Sequence, residues 1–268
     1  MSAPLTGRTA IVTGVSRRGG IGFAIACRLA GMGADLMLCH HAAHDRAQPW
    51  GGDDVAAVIG GVREACLDPG QRVIDLGIDL GEPEAPDLVL TRANADLGHV
   101  DALVCNHARS GGDGALGDLT AAMIDGHYAV NTRSSLLLAQ AFARQHDGRP
   151  GGRIIFLTSG QALGPMPGEI AYAAAKAALA GVTLTIADQL ADRGITVNAV
   201  NPGPVDSDSY LDDEARRRLL PMFPFGRLGQ PDDPARLIAW LVSDEGRWVT
   251  GQVLNTEGGF ARWRPPAP

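Results

Sequence analysis

Tyr172 and Lys176, in the stretch YAAAK, have the residue types and the spacing that acid–base chemistry requires. Residues four apart on a helix share one face, with their Cβ atoms about 5–6 Å apart. A lysine cation at that distance stabilises a phenolate and lowers the pKa of the tyrosine from its ordinary value of about 10. The pair predicts a proton donor beside an activating cation. The alternative is a tyrosine that packs next to a surface lysine.

Ser159 and Asn131 are two further polar residues with candidate roles. Ser159 ends the apolar run RIIFLTS, 13 residues before Tyr172, where its hydroxyl would hold and polarise a substrate oxygen. Asn131, in AVNT, lies inside a predicted helix although asparagine is a poor helix former. Taken singly, they have structural interpretations, as a turn or capping serine and as an asparagine that binds local backbone. Four polar residues in this order favour a catalytic site.

Short apolar segments alternate with longer helical ones, so each of these side chains has a predicted element to position it. Strands that are apolar throughout and separated by helices indicate a parallel sheet covered on both faces. We therefore predict a single-domain α/β protein, residues 1–268, with a doubly wound Rossmann-like sheet of about seven strands. Strands are predicted at 9–14, 35–40, 72–79, 101–107, 153–159, 194–203 and 252–259, and helices at 21–33, 53–66, 83–98, 120–145 and 169–193.

The segment TGVSRRGGIG joins the first predicted strand to the first predicted helix. Glycines let the backbone turn tightly and approach a ligand, and free N–H groups at a helix N-terminus favour phosphate. A glycine-rich stretch alone is a weak signal, but at the first strand-to-helix turn it predicts nucleotide binding. An ordinary turn rich in glycine is the alternative.

Arg17 and Arg18 in this loop indicate which nucleotide is bound. Dinucleotide folds often have an acidic residue at the end of the second strand, where it binds a ribose 2′-hydroxyl. Here His40 ends that strand, and no carboxylate follows before Asp45. Guanidinium groups suit a 2′-phosphate, so the sequence favours NADP(H) over NAD(H); arginines that face solvent are the alternative. The histidines of CHHAAHDR are expected not to bind metal, because adjacent strand residues point to opposite faces.

Composition and charge argue against other classes of function. The net charge of −7, without a long basic block, disfavours nucleic-acid binding. No apolar run approaches the ~20 residues of a membrane span, and no signal-peptide core follows the N-terminus. The four cysteines lie far apart without a CxxC pair, which is typical of buried free thiols in a reducing compartment. We expect a cytoplasmic protein that binds neither nucleic acid nor membrane.

Together these motifs resemble those of the short-chain dehydrogenase/reductase family over essentially the whole chain. The glycine loop is similar to the family's TGxxxGxG but two residues longer, CNHA stands where NNAG is usual, and NPGPVDS resembles the segment that holds the nicotinamide carboxamide. Asn131, Ser159, Tyr172 and Lys176 match the family's catalytic residues. The resemblance implies cofactor contacts from Gly14, Ser16, Arg17, Arg18, Gly20, Ile21, Gly22, His40, Asp79, Leu80, Asn106, Tyr172, Lys176, Pro202, Gly203 and Val205.

The resemblance implies an NAD(P)-dependent oxidoreductase that interconverts a ketone or aldehyde and an alcohol. Tyr172 would protonate the oxygen that hydride transfer leaves charged, Lys176 would also hold the nicotinamide ribose, and Asn131 would order water for proton resupply. The likeness is closest to 3-oxoacyl-(acyl-carrier-protein) reductases, which implies an acyl thioester, while other small carbonyls and sugars stay open. Enoyl reductases usually separate Tyr and Lys by six residues rather than three. A catalytically silent cofactor-binding regulator is the alternative from another class.

The substrate pocket and the assembly are predicted from loops and from the C-terminal segment. The long connection 205–229 is expected to cover the site. His107 and Arg109 replace small residues of the family, and we hypothesise that one of them favours a polar or anionic substrate; packing beneath the cofactor is the alternative. TGQVLNTEGGFARW resembles a family subunit interface, which implies a homotetramer, with a dimer as the fallback. The candidate pocket residues are His107, Arg109, Gln161, Leu163, Met166, Met222 and Phe223.

Overall fold

The seven apolar segments form one parallel sheet. The structure, a computed structural model, describes residues 3–207 and 213–261. Its strands are β1 (Thr9–Thr13), β2 (Asp35–His40), β3 (Val73–Gly77), β4 (Ala102–Cys105), β5 (Gly152–Leu157), β6 (Ile195–Asn201) and β7 (Val253–Asn255). They lie in the order β3-β2-β1-β4-β5-β6-β7, and every adjacent pair is parallel. The predicted doubly wound sheet is confirmed.

Helices cover both faces of this sheet. They are α1 (Ile21–Gly31), α2 (Ala42–Arg46), α3 (Val55–Glu64), α4 (Ala85–Leu97), α5 (Ala121–His127), α6 (Ser134–Gln145), α7 (Ile170–Ala191), α8 (Asp213–Leu219) and α9 (Asp232–Val242). Residues of α1, α3 and α9 join the hydrophobic cluster on one face, and residues of α4, α6 and α7 join the cluster on the other.

The central strands are apolar on both sides because both of their faces are covered. Side chains alternate across a strand, so Val12 of β1 packs in the cluster under α1 and α9, while Ile11 packs in the cluster under α4 and α6. Both side chains are fully buried. Burial of an aliphatic side chain of this size contributes about 1.5–3 kcal/mol, so the alternation along β1 fixes its register between two helical layers.

The strand order reverses between β1 and β4, where Val12 pairs with Val104. The connections that leave these two strands run to opposite faces of the sheet, and a crevice opens beyond their carboxyl ends. In open parallel sheets this is where ligands bind. The topology therefore brings the glycine loop after β1 next to the loops that follow β4 and β5.

The helix predicted over 120–145 is not continuous. It is interrupted between α5 and α6 by a π-helical segment, Tyr128–Arg133, in which Asn131 is fully buried. A π turn accommodates an extra residue and is common at functional sites. Here the wider turn lets the amide of Asn131 bond to the backbone of Arg109 instead of facing its own helix.

Other differences lie in the connections. The helices α2, α8 and α9 were not predicted, and α8 lies in the connection 205–229, of which residues 208–212 fall outside the described part of the chain. The seventh strand ends at Asn255 rather than at Gly259, and the φ values of Gly258 and Gly259, +60° and +73°, are ones that no strand adopts.

Helix α7 is long and apolar enough, by length and composition, to cross a membrane, with a mean hydropathy of 1.6. This conflicts with the expectation that no apolar run has the required length. The segment was missed because its hydropathy comes largely from alanines rather than from a run of large aliphatic residues. A core helix passes the same test, and α7 packs against β6 and buries Lys176. Of the four free cysteines, Cys39 and Cys105 are buried, while the other two are only partly so.

Candidate active site

A cavity of about 780 Å³ opens at the carboxyl edge of the sheet, beside the reversal of strand order. Cavities of this size suit a ligand as large as a nucleotide cofactor with a small substrate. The predicted site residues in its wall are Gly14, Ser16, Arg17, Gly20, Ile21, Gly22, His40, Asp79, Leu80, Asn106, His107, Arg109, Ser159, Met166, Tyr172, Pro202, Gly203 and Val205.

The glycine loop forms one wall of the cavity and leads into α1. Gly14 has a φ of +73°, which favours glycine. A Cβ on Gly22 would lie 2.3 Å from the carbonyl oxygen of Gly14, so the loop packs on the first turn of α1 only because that side chain is absent. The first N–H groups of a helix have no partner within it, and Ile21 and Gly22 line the cavity. These residues fit a pyrophosphate.

Asn106 and Ser16 hold this loop in place. The Asn106 side-chain amide donates to the carbonyl oxygens of Thr13 and Gly14, at 3.0 and 3.1 Å. The Ser16 hydroxyl accepts from the backbone N–H of His41 at 3.1 Å. The end of β4 and the segment after β2 therefore fix the loop from both sides.

Arg17 lies in the cavity wall with its charge already paired. Its guanidinium is 3.2 Å from a carboxylate oxygen of Asp45, donates to the backbone oxygen of Ser207 at 3.2 Å, and stacks 5.5 Å from the ring centroid of Trp50. The side chains of Arg17 and Asp45 are 16% and 13% exposed, so this pair is partly shielded from water. A ligand phosphate at this position would share Arg17 with Asp45.

Arg18 points away from the cavity. Its guanidinium makes two hydrogen bonds to Asp53, at 3.0 and 2.8 Å, and its backbone N–H makes a third. The hydrogen bonds from Arg18 hold the pKa of the Asp53 carboxyl well below its ordinary value. The structure therefore separates the two arginines that the sequence treated alike. Arg18 pairs with the segment before α3, so its predicted place at the cofactor is not supported.

His40 and Asp79 line the far end of the cavity. The His40 ring bonds to Asp75 on the neighbouring strand at 3.3 Å. Asp79 follows the end of β3 by two residues, and its carboxylate accepts from the Gly81 N–H at 2.7 Å. This local turn fixes Asp79 at the rim, where the resemblance expects an adenine contact.

Ser159 and Tyr172 occupy the opposite end of the cavity. Ser159 follows β5 by two residues, and its hydroxyl lies 3.9 Å from the sulfur of Met166. Tyr172 is the third residue of α7. The carboxyl end of one strand and the first turn of the next helix therefore present both hydroxyl groups to the same cavity.

Lys176 lies behind Tyr172, one turn further along α7, and is 2% exposed. Its ammonium is 5.8 Å from the centroid of the Tyr172 ring and donates to the backbone oxygen of Leu157 at 2.9 Å. Burial lowers the pKa of Lys176 to about 8. The surface-lysine alternative is therefore wrong, because the cation is enclosed and directed at the tyrosine from inside the protein.

Asn131 lies outside the cavity wall. Its side-chain oxygen accepts from the Arg109 N–H at 2.6 Å, and its amide nitrogen donates to the Arg109 oxygen at 3.2 Å. The two bonds clamp the loop after β4 to the π-helical segment. The structure thus gives Asn131 the backbone-binding role that was the alternative in the sequence, while water ordering toward Lys176 stays a prediction.

His107 is buried at the bottom of the cavity and is neutral. Burial lowers its pKa to about 3. One ring nitrogen is 2.7 Å from the Thr13 hydroxyl, and the other is 2.6 Å from the Ser134 hydroxyl and 3.0 Å from the Val130 oxygen. With both nitrogens bonded to the protein, His107 joins β1 to α6 beneath the ligand site and is not available to attract an anion.

Arg109 lies in the cavity wall and packs over α5. A Cβ on Gly126 would lie 2.4 Å from a guanidinium nitrogen of Arg109, so the glycine makes room for the charged group. Within residues 3–207 and 213–261, no ion pair engages this guanidinium. Of the two unusual residues after β4, the structure therefore leaves Arg109 as the candidate for contact with a polar or anionic group.

Four predicted pocket residues lie outside the cavity wall. Phe223 is 5% exposed and stacks on Phe260 at 4.9 Å, in a small hydrophobic cluster to which Met222 adds. Gln161 and Leu163 belong to the turn after Ser159 but do not reach the cavity. These four residues were predicted to line the pocket because they lie near Ser159 or in the covering loop in the sequence. Their side-chain directions depend on tertiary packing, which the sequence pattern does not show.

Several wall residues were not predicted. Helix α2 and its flanks contribute His41, His44, Asp45, Gln48 and Trp50. Trp50 in a polar stretch was a usable signal, because a large aromatic residue there needs a partner, which is Arg17. Asp113 also escaped notice, because its partners on α7 lie 58 and 59 residues away.

Metal ligation has no structural support in the described residues. No group of three or more His, Cys, Asp or Glu side chains in 3–207 and 213–261 is arranged to hold a metal ion.

Comparison with known proteins places this geometry in a family. The profile of the family described as "Enoyl-(Acyl carrier protein) reductase" matches residues 14–261. The chain is 44% identical to the uncharacterized oxidoreductase YjdA of Bacillus subtilis (strain 168), over 257 residues that cover 95% of this chain and 97% of that protein. It is 34% identical to the 3-oxoacyl-(acyl-carrier-protein) reductase FabG of Escherichia coli (strain K12), over 258 residues that cover 95% and 97%.

Solved structures agree with the sequence relatives. A short chain dehydrogenase from Burkholderia cenocepacia J2315, in complex with NADP, superimposes with a TM-score of 0.82 and is 37% identical. The match covers 96% of this chain and 98% of that one. These matches span nearly the whole chain, including the glycine loop and the tyrosine–lysine pair. The chain belongs to the short-chain dehydrogenase/reductase family and is an NAD(P)-dependent oxidoreductase.

Proposed function

We propose that the protein interconverts a small ketone or aldehyde and its alcohol with NADP(H), and that Tyr172 is the acid and base. The observation that carries the proposal is the arrangement at one end of the cavity. Tyr172 and Ser159 face the cavity together, and the buried Lys176 ammonium lies 5.8 Å behind the Tyr172 ring. Tyr172 thus provides a proton donor, Ser159 a hydrogen-bond donor and Lys176 an enclosed cation at the same end of the cavity.

The bound nicotinamide would supply or accept the hydride at the carbonyl carbon. Ser159 would donate a hydrogen bond to the substrate oxygen and hold it in the cavity. Tyr172 would give its proton to that oxygen as charge develops, and would recover it from solvent. Lys176 stabilises the phenolate by its charge, and a pKa of about 8 keeps it mostly protonated at neutral pH.

Reduction of a carbonyl is favoured over reduction of an enoyl double bond. Tyr172 and Lys176 are separated by three residues and stack on consecutive turns of α7. The enoyl reductase pattern in the sequence analysis has six intervening residues, which would keep the lysine on the same face of the helix but place it two turns, about 10.5 Å, from the tyrosine. The matching family profile is described as an enoyl reductase, so an activity screen must include both carbonyl compounds and enoyl thioesters.

Arg17 supports the preference for NADP(H) over NAD(H). It is the arginine of the glycine loop that lines the cavity, at the end where His40, His41 and His44 replace the acidic residue of NAD-binding sites. Its planar guanidinium suits a phosphate. The Burkholderia relative crystallised with NADP, which is consistent with this preference.

The substrate class we propose is a carbonyl compound with a polar or anionic group, such as a 3-oxoacyl thioester. Arg109 provides the argument, because its guanidinium lies in the wall with no ion pair among the described residues. The 34% identity with FabG is compatible with a thioester but is shared with relatives of other names. A homotetramer is proposed on the likeness of the C-terminal segment.

A cofactor-consumption screen tests the proposal. Purified protein is incubated with NADPH or NADH and a panel of 3-oxoacyl thioesters, diketones, quinones, sugars and enoyl thioesters, and absorbance at the reduced-nicotinamide band is followed. We expect turnover with carbonyl compounds, faster with NADPH, and none with enoyl thioesters. Tight NADPH binding without turnover on any carbonyl compound would instead support a silent regulator.

A further inference from the structure

His127 is a fully buried titratable residue that the proposed reaction does not use. It ends α5, where its side chain is 0% exposed, and its ring meets the Tyr172 ring edge-on, with 6.0 Å between centroids and 84° between planes. A histidine in this place needs hydrogen-bond partners, since an unpaired buried imidazole nitrogen costs stability.

The bonds of His127 assign it a neutral tautomer. Its Nε2 is 3.2 Å from the Gly111 carbonyl oxygen and must donate to it. Its Nδ1 is 3.4 Å from the Asn131 amide nitrogen and must accept from it. Burial lowers the pKa of His127, which agrees with a ring that stays neutral. The ring thus continues the chain of bonds that runs from the Arg109 backbone through Asn131.

Asp113 lies in the loop after β4, like Arg109 and Gly111, and bonds to the backbone of Tyr172. Its carboxylate accepts from the N–H groups of Ala171 and Tyr172, at 3.0 and 2.7 Å, in the first turn of α7. These are N–H groups that a helix cannot satisfy from within, and a carboxylate there is also favoured by the helix dipole. The side chain is 6% exposed, so the cap is shielded from water.

The two residues form one unit around the tyrosine. The His127 Nε2 is 3.9 Å from a carboxylate oxygen of Asp113, a further bond from Gly114 fixes that carboxylate, and Arg109 is the other charged group near His127. Asp113 holds the backbone of Tyr172, and His127 holds one side of its ring. Lys176 lies on the ring as well, at 5.8 Å.

We propose that Asp113 and His127 are positioning residues that hold the Tyr172 phenol between Ser159 and Lys176. This inference rests on the proposed function, since it concerns the acid of that reaction. Neither residue touches the substrate in this account. They act because proton transfer and the influence of Lys176 both depend on the placement of one hydroxyl group to within fractions of an ångström.

Kinetics of matched variants form the first test. Asp113→Ala and His127→Leu should each lower kcat about tenfold or more, while the NADPH Kd stays within about twofold, because the nucleotide wall is untouched. Asp113→Asn and His127→Gln, which keep one acceptor and one donor respectively, should recover part of kcat. Asp118→Ala, which removes an exposed carboxylate of the same loop, should match the wild type. A kcat within twofold of wild type for both Asp113→Ala and His127→Leu would overturn the proposal.

A second measurement needs no substrate. The chain has three tyrosines, so an ultraviolet titration of His127→Leu against the double variant with Tyr172→Phe isolates the ionisation of Tyr172. We expect Tyr172 to ionise about half a pH unit or more above its wild-type value, since its phenol is no longer held beside Lys176. His127→Leu changes no charge, so an unchanged titration would refute the positioning role. Absence of turnover in the wild type would instead count against the proposed function, and the titration would still decide this inference.

Discussion

The two ends of the cavity are built differently. At the proposed catalytic end, Asp113 bonds to the backbone of Tyr172 from 59 residues away, and Lys176, which is almost completely buried, donates to the backbone oxygen of Leu157. At the nucleotide end, Arg17 in the cavity wall is paired with Asp45, and Arg18 of the same loop is paired with Asp53 outside the cavity. Among residues 3–207 and 213–261, Lys176 has no carboxylate partner, whereas carboxylates hold both arginines of the glycine loop.

This difference shows where charge can act on a ligand. A buried ammonium that contacts a backbone oxygen keeps its full charge for the group beside it, which here is the Tyr172 ring. A partly exposed arginine that is paired with aspartate attracts a ligand anion less strongly, since the ligand must compete with the carboxylate. The catalytic end is therefore expected to tolerate substitution far less than the nucleotide end.

Replacing the buried cation should have the largest effect among the following changes. In Lys176→Met the side chain fills a similar volume and removes a buried charge, so the fold should persist. The phenol then loses the cation that lowers its pKa, and kcat should fall about a hundredfold or more. Steady-state kinetics with far-ultraviolet circular dichroism would check this. Activity within tenfold of wild type, in a folded variant, would break the distinction between the two ends.

The nucleotide end is probed by two arginines of the same loop. Arg17→Ala should weaken NADPH binding about tenfold and leave NADH binding nearly unchanged, because only NADPH has the 2′-phosphate. Arg18→Ala is the matched control, since its guanidinium pairs with Asp53 outside the cavity. Its NADPH Kd should change less than twofold in a fluorescence titration. Equal losses for the two variants would mean that the assignment of Arg17 is wrong.

His107, between the two ends, should affect stability rather than rate. The folded pKa is about 3, below the 6.5 of an ordinary histidine. Below pH 6.5 the unfolded chain therefore binds a proton that the folded protein does not, and stability falls as the pH drops toward 3. Between pH 7.5 and 5 this costs about 2 kcal/mol, which His107→Asn should remove.

Urea unfolding at the two pH values measures this cost. His41→Asn, at a half-exposed histidine, serves as the control. If His107→Asn and wild type lose the same free energy of unfolding on acidification, the buried neutral state assigned to His107 is incorrect.

The sequence predicted the sheet, and it singled out Ser159, Tyr172 and Lys176 as candidates, because both depend on local patterns. The strand Asp35–His40 agrees with the structure to the residue, and the other predicted strands overlap the observed ones and differ at their ends. The loop after β1 and the pair Tyr172 and Lys176 are recognised by spacing within one element. These features need no knowledge of what lies across the fold.

What the sequence did not predict depends on long-range partners. The carboxylates that pair with Arg17 and Arg18 follow them by 28 and 35 residues, and periodicity cannot assign such pairs. The π-helical segment that holds Asn131 has the same hydrophobic pattern as a regular helix. Asp113 and His127 looked ordinary in the sequence, because their bonds to Tyr172 and Asn131 exist only after the loop folds onto α7.

Tyr172→Phe is the sharpest probe of the proposed acid. The substitution removes one hydroxyl group and leaves the ring contacts with His127 and Lys176 in place. Wild type and variant would be compared for NADPH oxidation with the best carbonyl substrate of the screen, and for NADPH Kd by fluorescence. We expect the substitution to lower turnover about a thousandfold or more, while the NADPH Kd stays within twofold. Turnover within tenfold of wild type would contradict the assignment of Tyr172 as the acid.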